Sequence, residues 1–288
     1  MFFDRLPGTG YVCAHRGART LAPENTMLAA ELALEVGADY WEMDVQKVAD
    51  GSLIVFHDDY LPRTTDVASR REFANRSPWQ VSSFTLDELQ QLNAGSWFAD
   101  DSPYSTIVTS VVDKHRVKRM KEAKISTLKE ALAFSRHNDF PINVEIKDQI
   151  ESPGDLSIVK DVLKVIRKQE AEDLVLISSF NHAYLAEVHR LIPEIPLAVL
   201  VEDKHPEDIV GYLGALGSSV YHPDIRITDI ELVRTLTKAG IKVAPWTMNY
   251  MDQAVDFIDA GCFGIITDYA HTLRQRLDAR DAWSDRSE

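Results

Sequence analysis

Short apolar runs alternate with helix-patterned stretches along this chain, and that alternation restricts the fold more than any single motif. Residues 11–14, 40–45, 142–147, 174–178, 197–201, 219–222, 242–246 and 264–267 read as strands. The segments between them read as helical stretches, and over 156–169 the apolar residues recur at spacings of three and four, the helical period. Strands joined through helices pair in parallel, because the return needs a crossover of a dozen or more residues. Eight of them make an α/β fold, the (β/α)8 TIM barrel. A chain of 288 residues, 45% of them hydrophobic, is long and apolar enough for one such barrel.

Capping residues sharpen the helices. Asn25 or Thr26 opens a helix over 26–36 and Gly37 closes it; Ser126 or Thr127 opens another that runs through Ser135. Gly154 and Asp155 precede a helix over 156–169, while Thr228 and Asp229 precede one over 230–239 that Gly240 ends.

The alternation breaks once. Asp50-Gly51 is a hairpin signal, so residues 53–57 return beside the second strand as an arm outside the barrel. Residues 59–125 then hold Ser, Asn and Pro, a short helix over 85–92, and Trp79, Trp97 and Phe98. This is too long for a barrel loop, and it reads as an insertion over the barrel mouth within a single catalytic domain spanning 1–288. Its end, 113–124, carries six Lys or Arg against one Asp and one Glu: a solvated linker, or a surface that attracts phosphate.

Composition excludes some functions. A net charge of −14 argues against nucleic-acid binding. No apolar run nears the ~20 residues needed to span a bilayer, and the first residues lack a basic start followed by an apolar stretch, so stable membrane insertion and secretion are not expected. Cys13 and Cys262 both lie in apolar sequence, which suits buried thiols in a reducing, cytoplasmic compartment. The sequence is silent on oligomeric state.

Chemistry in such a barrel gathers at the C-terminal ends of the strands. His15 ends the first strand, Glu42 and Asp44 the second, Glu145 and Lys147 the third, and Trp246 the seventh. Residues two apart on a strand share a face, so each acid of a pair projects with its partner. A two-residue loop at Asp50-Gly51 sets Asp44 opposite His57; a three-residue loop with a bulge slips that pairing by one. Three converging carboxylates (Glu42, Asp44 and Glu145) suit one hard divalent cation, Mg2+ or Ca2+. His15 and His57 are the acid–base candidates, because imidazole titrates near neutral pH. Arg16 and Lys147 offer fixed positive charge to a phosphate, and Trp246 an apolar wall for substrate. Of the other seven histidines, His182, His222 and His271 lie nearest strand ends.

These residues carry a resemblance. His15-Arg16-Gly17, Pro23-Glu24-Asn25-Thr26, Glu42-Met43-Asp44-Val45, Asp50-Gly51 and His57-Asp58 together resemble the glycerophosphodiester phosphodiesterase family. Glu145-Ile146-Lys147, Ser178-Ser179-Phe180, Ala244-Pro245-Trp246 and Gly264-Ile265-Ile266-Thr267-Asp268 extend it over nearly the whole chain, and Leu61-Pro62-Arg63-Thr64-Thr65 resembles the start of the family's own insertion. Val48 and Ser126 stand where the family commonly has Thr and Pro. The resemblance implies metal-dependent hydrolysis of small glycerophosphodiesters to sn-glycerol 3-phosphate and an alcohol. It also implies His15 and His57 as acid and base, Glu42, Asp44 and Glu145 as metal ligands, and Arg16 and Lys147 near the phosphate. A lysophospholipase D-like or sphingomyelinase D-like lipid phosphodiesterase, and a non-catalytic phosphodiester-binding barrel, are the alternatives.

Overall fold

The structure is a computed structural model that describes residues 1–284 apart from 108 and 110. The strands are β1 (Tyr11–Ala14), β2 (Tyr40–Lys47), β3 (Leu53–Val55), β4 (Ser126–Thr127), β5 (Ile142–Ile146), β6 (Val175–Ser179), β7 (Leu197–Val201), β8 (Val220–Pro223), β9 (Lys242–Val243) and β10 (Gly264–Thr267). Eight of them run parallel in the order β10-β1-β2-β5-β6-β7-β8-β9, the TIM barrel expected from the alternation. Between β9 and β10 the ladder gives way to single bonds. The Phe263 N–H donates to Val243 O (2.8 Å) and the Ile266 N–H to Pro245 O (3.1 Å).

Alternating strand residues serve two cores. One set (Cys13, Tyr40, Leu176, Ala198, Val220, Ala244 and Ile266) packs with Phe2 and Leu6, so the short N-terminal helix Phe2–Arg5 joins this smaller core. The other set, Trp41, Met43 and Val45 among them, packs with the helices, including Leu32, Leu132, Val162 and Leu185. Fully burying one such Leu contributes about 2 kcal/mol. Where the first set of β2, β5 and β7 continues past Tyr40 and Ala198, it becomes Glu42, Asp44, Asn143, Glu145 and Leu200. The strands therefore carry a polar layer further along, toward their C-terminal ends.

Three of the expected caps form, whereas the helix Ser157–Lys168 starts at Leu156 without a side-chain cap. Thr26 accepts from Ala29 N (3.2 Å) to open Met27–Glu35, and Thr127 with Glu130 makes a capping box for Leu128–His137. Asp229 caps Ile230–Lys238 through Leu232 N.

The hairpin register is corrected. Val45 pairs with Val55, Gln46 with Ile54 and Lys47 with Leu53, one residue off the two-residue-loop pairing. The loop has three residues: Val48 N bonds Ser52 O (3.0 Å), and Gly51 closes the turn at φ 81°. Asp44 therefore faces Phe56, whose N–H donates to Asp44 O (3.0 Å), and His57 follows the strand instead of pairing within it.

The insertion has its own core of Leu61, Val67, Phe73, Val81, Phe84, Leu89 and Leu92, closed by Ile54, Phe56 and Ile125. It reaches loops at the C-terminal ends of the strands: Thr106 Oγ1 donates to Thr20 O (2.6 Å), and Tyr104 meets Tyr269 edge-on. The basic stretch forms the helix Lys114–Met120. Its Arg116 and Arg119 pair with Glu35 and Glu31 on the helix Met27–Glu35, so those charges are spent on the barrel's flank and not at its mouth.

Candidate active site

The loop after β1 turns back through the left-handed region at Arg16 (φ 55°) and Gly17 (φ 77°). A Cβ on Gly17 would lie 2.7 Å from the Ala29 backbone, so only glycine lets the loop close on that helix. The turn aims the Arg16 N–H at Glu42 Oε2 (2.8 Å). Arg16 Nη1 donates to Glu24 Oε1 (2.8 Å), and its Nε lies 3.5 Å from Asp44 Oδ2. Asn25 donates to the same Asp44 oxygen (2.8 Å).

Glu42 and Asp44 on β2 and Glu145 on β5 are buried, and register places Asp44 directly beside Glu145. One ligand oxygen from each lies within 4.8 Å of the others, the single such group found among the described residues. Glu42 Oε1 is buried without a hydrogen-bond partner. Burial and the neighbouring charges of Asp44 and Glu145 push Glu42 well above the usual carboxylate range. Burial acts on Asp44 in the same direction, yet His57, Arg16, Lys147 and the Asn25 hydrogen bond hold it below its ordinary value. An orphaned oxygen in a cluster of three hard donors fits a divalent cation.

Lys147 Nζ donates to Glu145 Oε1 (2.9 Å) and lies 3.6 Å from Asp44 Oδ1. Burial opposes its charge, but those two carboxylates raise it and keep it a cation. His15 donates from Nδ1 to Asp268 Oδ1 (2.7 Å), and His57 from Nδ1 to Asp58 Oδ1 (2.7 Å). Burial and Arg16 pull His15 down to about 4, outweighing Asp268, so its ring is neutral at pH 7.

One cavity unites the set. It is lined by His15, Arg16, Glu42, His57, Glu145 and Lys147 on one side, and by Phe180, Leu200, Trp246 and Thr247 on the other. Asp44 lies buried against Arg16 and Lys147. Trp246 donates its Nε1–H to His222 O (2.8 Å) and meets Phe180 edge-on at 5.4 Å. Of the other histidines, His182 and His205 spend both ring nitrogens on neighbours, and His222 is wholly buried.

Sequence reasoning gave no role to Asp58, Asp268, Asn249 or Phe180. Asn249 Nδ2 donates to Asp268 Oδ2 (2.8 Å) and so steadies the carboxylate that holds His15. Asp268 and Phe180 each follow the last residue of a barrel strand, the signal that marked His15 and could have marked them.

A TIM barrel whose mouth combines three clustered acids, two carboxylate-anchored imidazoles and two cations is the frame of a phosphodiester-cleaving enzyme. Residues 15–272 match the glycerophosphoryl diester phosphodiesterase family, and the chain belongs to that family, an enzyme of this type. It is 34% identical to a glycerophosphodiester phosphodiesterase of Caldanaerobacter subterraneus subsp. tengcongensis over 265 residues, covering 91% of this chain and 95% of that protein. It is 35% identical to one of Bacillus altitudinis over 263 residues, covering 90% and 94%. Among solved structures, the fold is similar to that of an Oleispira antarctica phosphodiesterase in complex with its product sn-glycerol-3-phosphate. That match has a TM-score of 0.79 and 29% identity, and covers 96% of this chain and 98% of that one.

Proposed function

We propose that this enzyme hydrolyses small glycerophosphodiesters to sn-glycerol 3-phosphate and an alcohol, with His15 and His57 as the proton-transferring pair. One observation carries the reading: two imidazoles, each held through Nδ1 by a carboxylate, open onto the cavity that also exposes Glu42, Glu145, Arg16 and Lys147. Glu42, Asp44 and Glu145 would hold one divalent cation, Mg2+ or Ca2+. When bound, it supplies positive charge to the phosphate oxygens as negative charge builds in the transition state.

The chain's own residues do the rest. Arg16 and Lys147 bind and orient the phosphate. His15, uncharged at neutral pH and with Nδ1 occupied by Asp268, has Nε2 free to accept the nucleophile's proton. Asp58 fixes the His57 ring and leaves its Nε2 as the atom that hands a proton to the leaving alkoxide. Phe180, Leu200 and Trp246 exclude water beside the organic half of the substrate. Residues 59–125 cover one side of the mouth, a placement supported by their contacts with Thr20, Glu24 and Glu151. The buried, free thiols of Cys13 and Cys262 suit a cytoplasmic site of action. Among the described residues no helix is long and apolar enough to cross a membrane.

Phosphorus NMR of a glycerophosphodiester incubated with the enzyme tests this. The expected new resonance is sn-glycerol 3-phosphate, preceded by a cyclic phosphate if a glycerol hydroxyl is the nucleophile. Release of the other alcohol as its phosphate would sink the reading. A second reading, head-group cleavage of lysophospholipids or sphingolipids, draws support from exposed Ile150, Phe180 and Tyr250 on the loops after β5, β6 and β9. Faster turnover of a lysophospholipid than of its deacylated diester would favour it.

A further inference from the structure

The two carboxylates that hold the imidazoles are joined through a third. Asp268 Oδ1, which accepts from His15, also accepts from Arg19 Nη1 (3.2 Å), and Arg19 Nη2 donates to Glu24 Oε2 (2.7 Å). Asp58 Oδ1, which accepts from His57, also accepts from Arg63 Nη2 (2.8 Å). Arg63 then donates to both Glu24 oxygens, at 2.7 and 3.0 Å. The path His15–Asp268–Arg19–Glu24–Arg63–Asp58–His57 thus has no step longer than 3.2 Å. Glu24 is the midpoint, with a side chain only 4% exposed.

We infer that Glu24 is a positioning residue that couples the two imidazoles, so that disturbing the support of one displaces the other. The inference rests on the reading of His15 and His57 as the proton-transfer pair. Three carboxylates (Glu24, Asp58, Asp268) face three guanidiniums (Arg16, Arg19, Arg63), and the charges balance. Removing the Glu24 charge leaves Arg19 and Arg63 each with one acidic partner in this chain of contacts, the carboxylate that orients an imidazole. Both guanidiniums then move toward Asp268 and Asp58 and draw them off Nδ1. A displacement of ~1 Å at a reacting group is enough to cost about 100-fold in rate. Arg63 sits in the insertion, so the same path ties that segment to the proton chemistry.

The test uses two variants of the full chain, Glu24→Gln and Arg63→Ala, with 15N-detected NMR of the histidine rings beside steady-state kinetics. Arg63 touches neither ring and is 44% exposed, so its loss is tolerated by the fold more readily than a change at Glu24. In Arg63→Ala the Nδ1 resonances of both His57 and His15 are expected to shift. For sn-glycero-3-phosphoethanolamine, kcat is expected to fall about tenfold or more in both variants, with KM within about twofold of the parent. A shift confined to His57 in Arg63→Ala means that the two carboxylates are held separately, and overturns the coupling; so does an unchanged kcat in either variant of an active enzyme. Parent protein that turns over no glycerophosphodiester would sink the proposed function alone, because the ring resonances still report whether the coupling exists.

Discussion

The two halves of the barrel mouth are built on opposite principles. The arc from β10 through β1 and β2 to β5 contributes Asp268, His15, Glu42, Asp44, Glu145 and Lys147, all of them ionisable, with Lys147 paired to Glu145 (2.9 Å) and Asp44 (3.6 Å) and His15 hydrogen-bonded to Asp268 (2.7 Å). The arc from β6 to β9 contributes Phe180, Leu200, Trp246 and Thr247 to the same cavity. Even its strand imidazole, His222, is pushed by burial to about 3 and stays uncharged. The first arc gathers ionisable side chains around one point; the second encloses the cavity with apolar ones. Substitutions on the first should therefore strike kcat, and those on the second KM and the choice of alcohol.

The sharpest break should come from His15→Ala and His57→Ala. Each is expected to lower kcat by about 100- to 10,000-fold with little change in KM, measured on one diester under saturating metal. Retention of full activity by either variant would remove that imidazole from the proton-transfer scheme.

Next in size is stability on the charged arc. Although burial pushes the carboxylate of Glu24 up, the Arg63 hydrogen bond and the charges of Arg16, Arg19 and Arg63 hold it at about 2, below its ordinary 4.5. A carboxyl depressed in the folded state stabilises the fold above its unfolded pKa and loses that contribution as pH falls through the folded value. The shift corresponds to about 3 kcal/mol, present at pH 7 and lost between about pH 4.5 and 2. Urea unfolding of the parent and of Glu24→Gln should show a gap of that order at pH 7 that narrows across this window; a gap independent of pH would contradict the assignment.

Lys147→Met is expected to cost about 10- to 100-fold in kcat/KM, the scale of one hydrogen bond to a charged group. Smaller again, Phe180→Ala should raise KM by only about two- to tenfold, because it removes an edge-on partner of Trp246 and leaves the ionisable arc intact. A loss of kcat from Phe180→Ala as large as that from His57→Ala would erase the distinction between the arcs.

The legible parts of this molecule are those fixed by local spacing. Eight apolar runs announced the barrel. The two-residue spacing of Glu42 with Asp44 and of Glu145 with Lys147 announced a shared face, and Lys147 does reach both Glu145 and Asp44. The hairpin register was less legible because Asp50-Gly51 fits loops of two or three residues. Asp50 accepts from Ser52 N and, across the insertion, from Leu86 N (both 3.0 Å), a contact that no local pattern announces. The Glu24 assembly was hidden for the same reason. Its partners lie 39 residues away at Arg63 and, through Arg19, across a further 249 to Asp268, so only the closed barrel and the folded insertion bring them together.

The central claim is that the charged arc is a cation-centred phosphodiester site. Its most direct test is turnover of a glycerophosphodiester by chelator-treated enzyme, with bound metal measured by elemental analysis before and after Mg2+ or Ca2+ is returned. The expected result is loss of turnover on chelation and recovery with one equivalent of cation bound, a recovery that Asp44→Asn fails to show. Full turnover by metal-free enzyme would contradict the account.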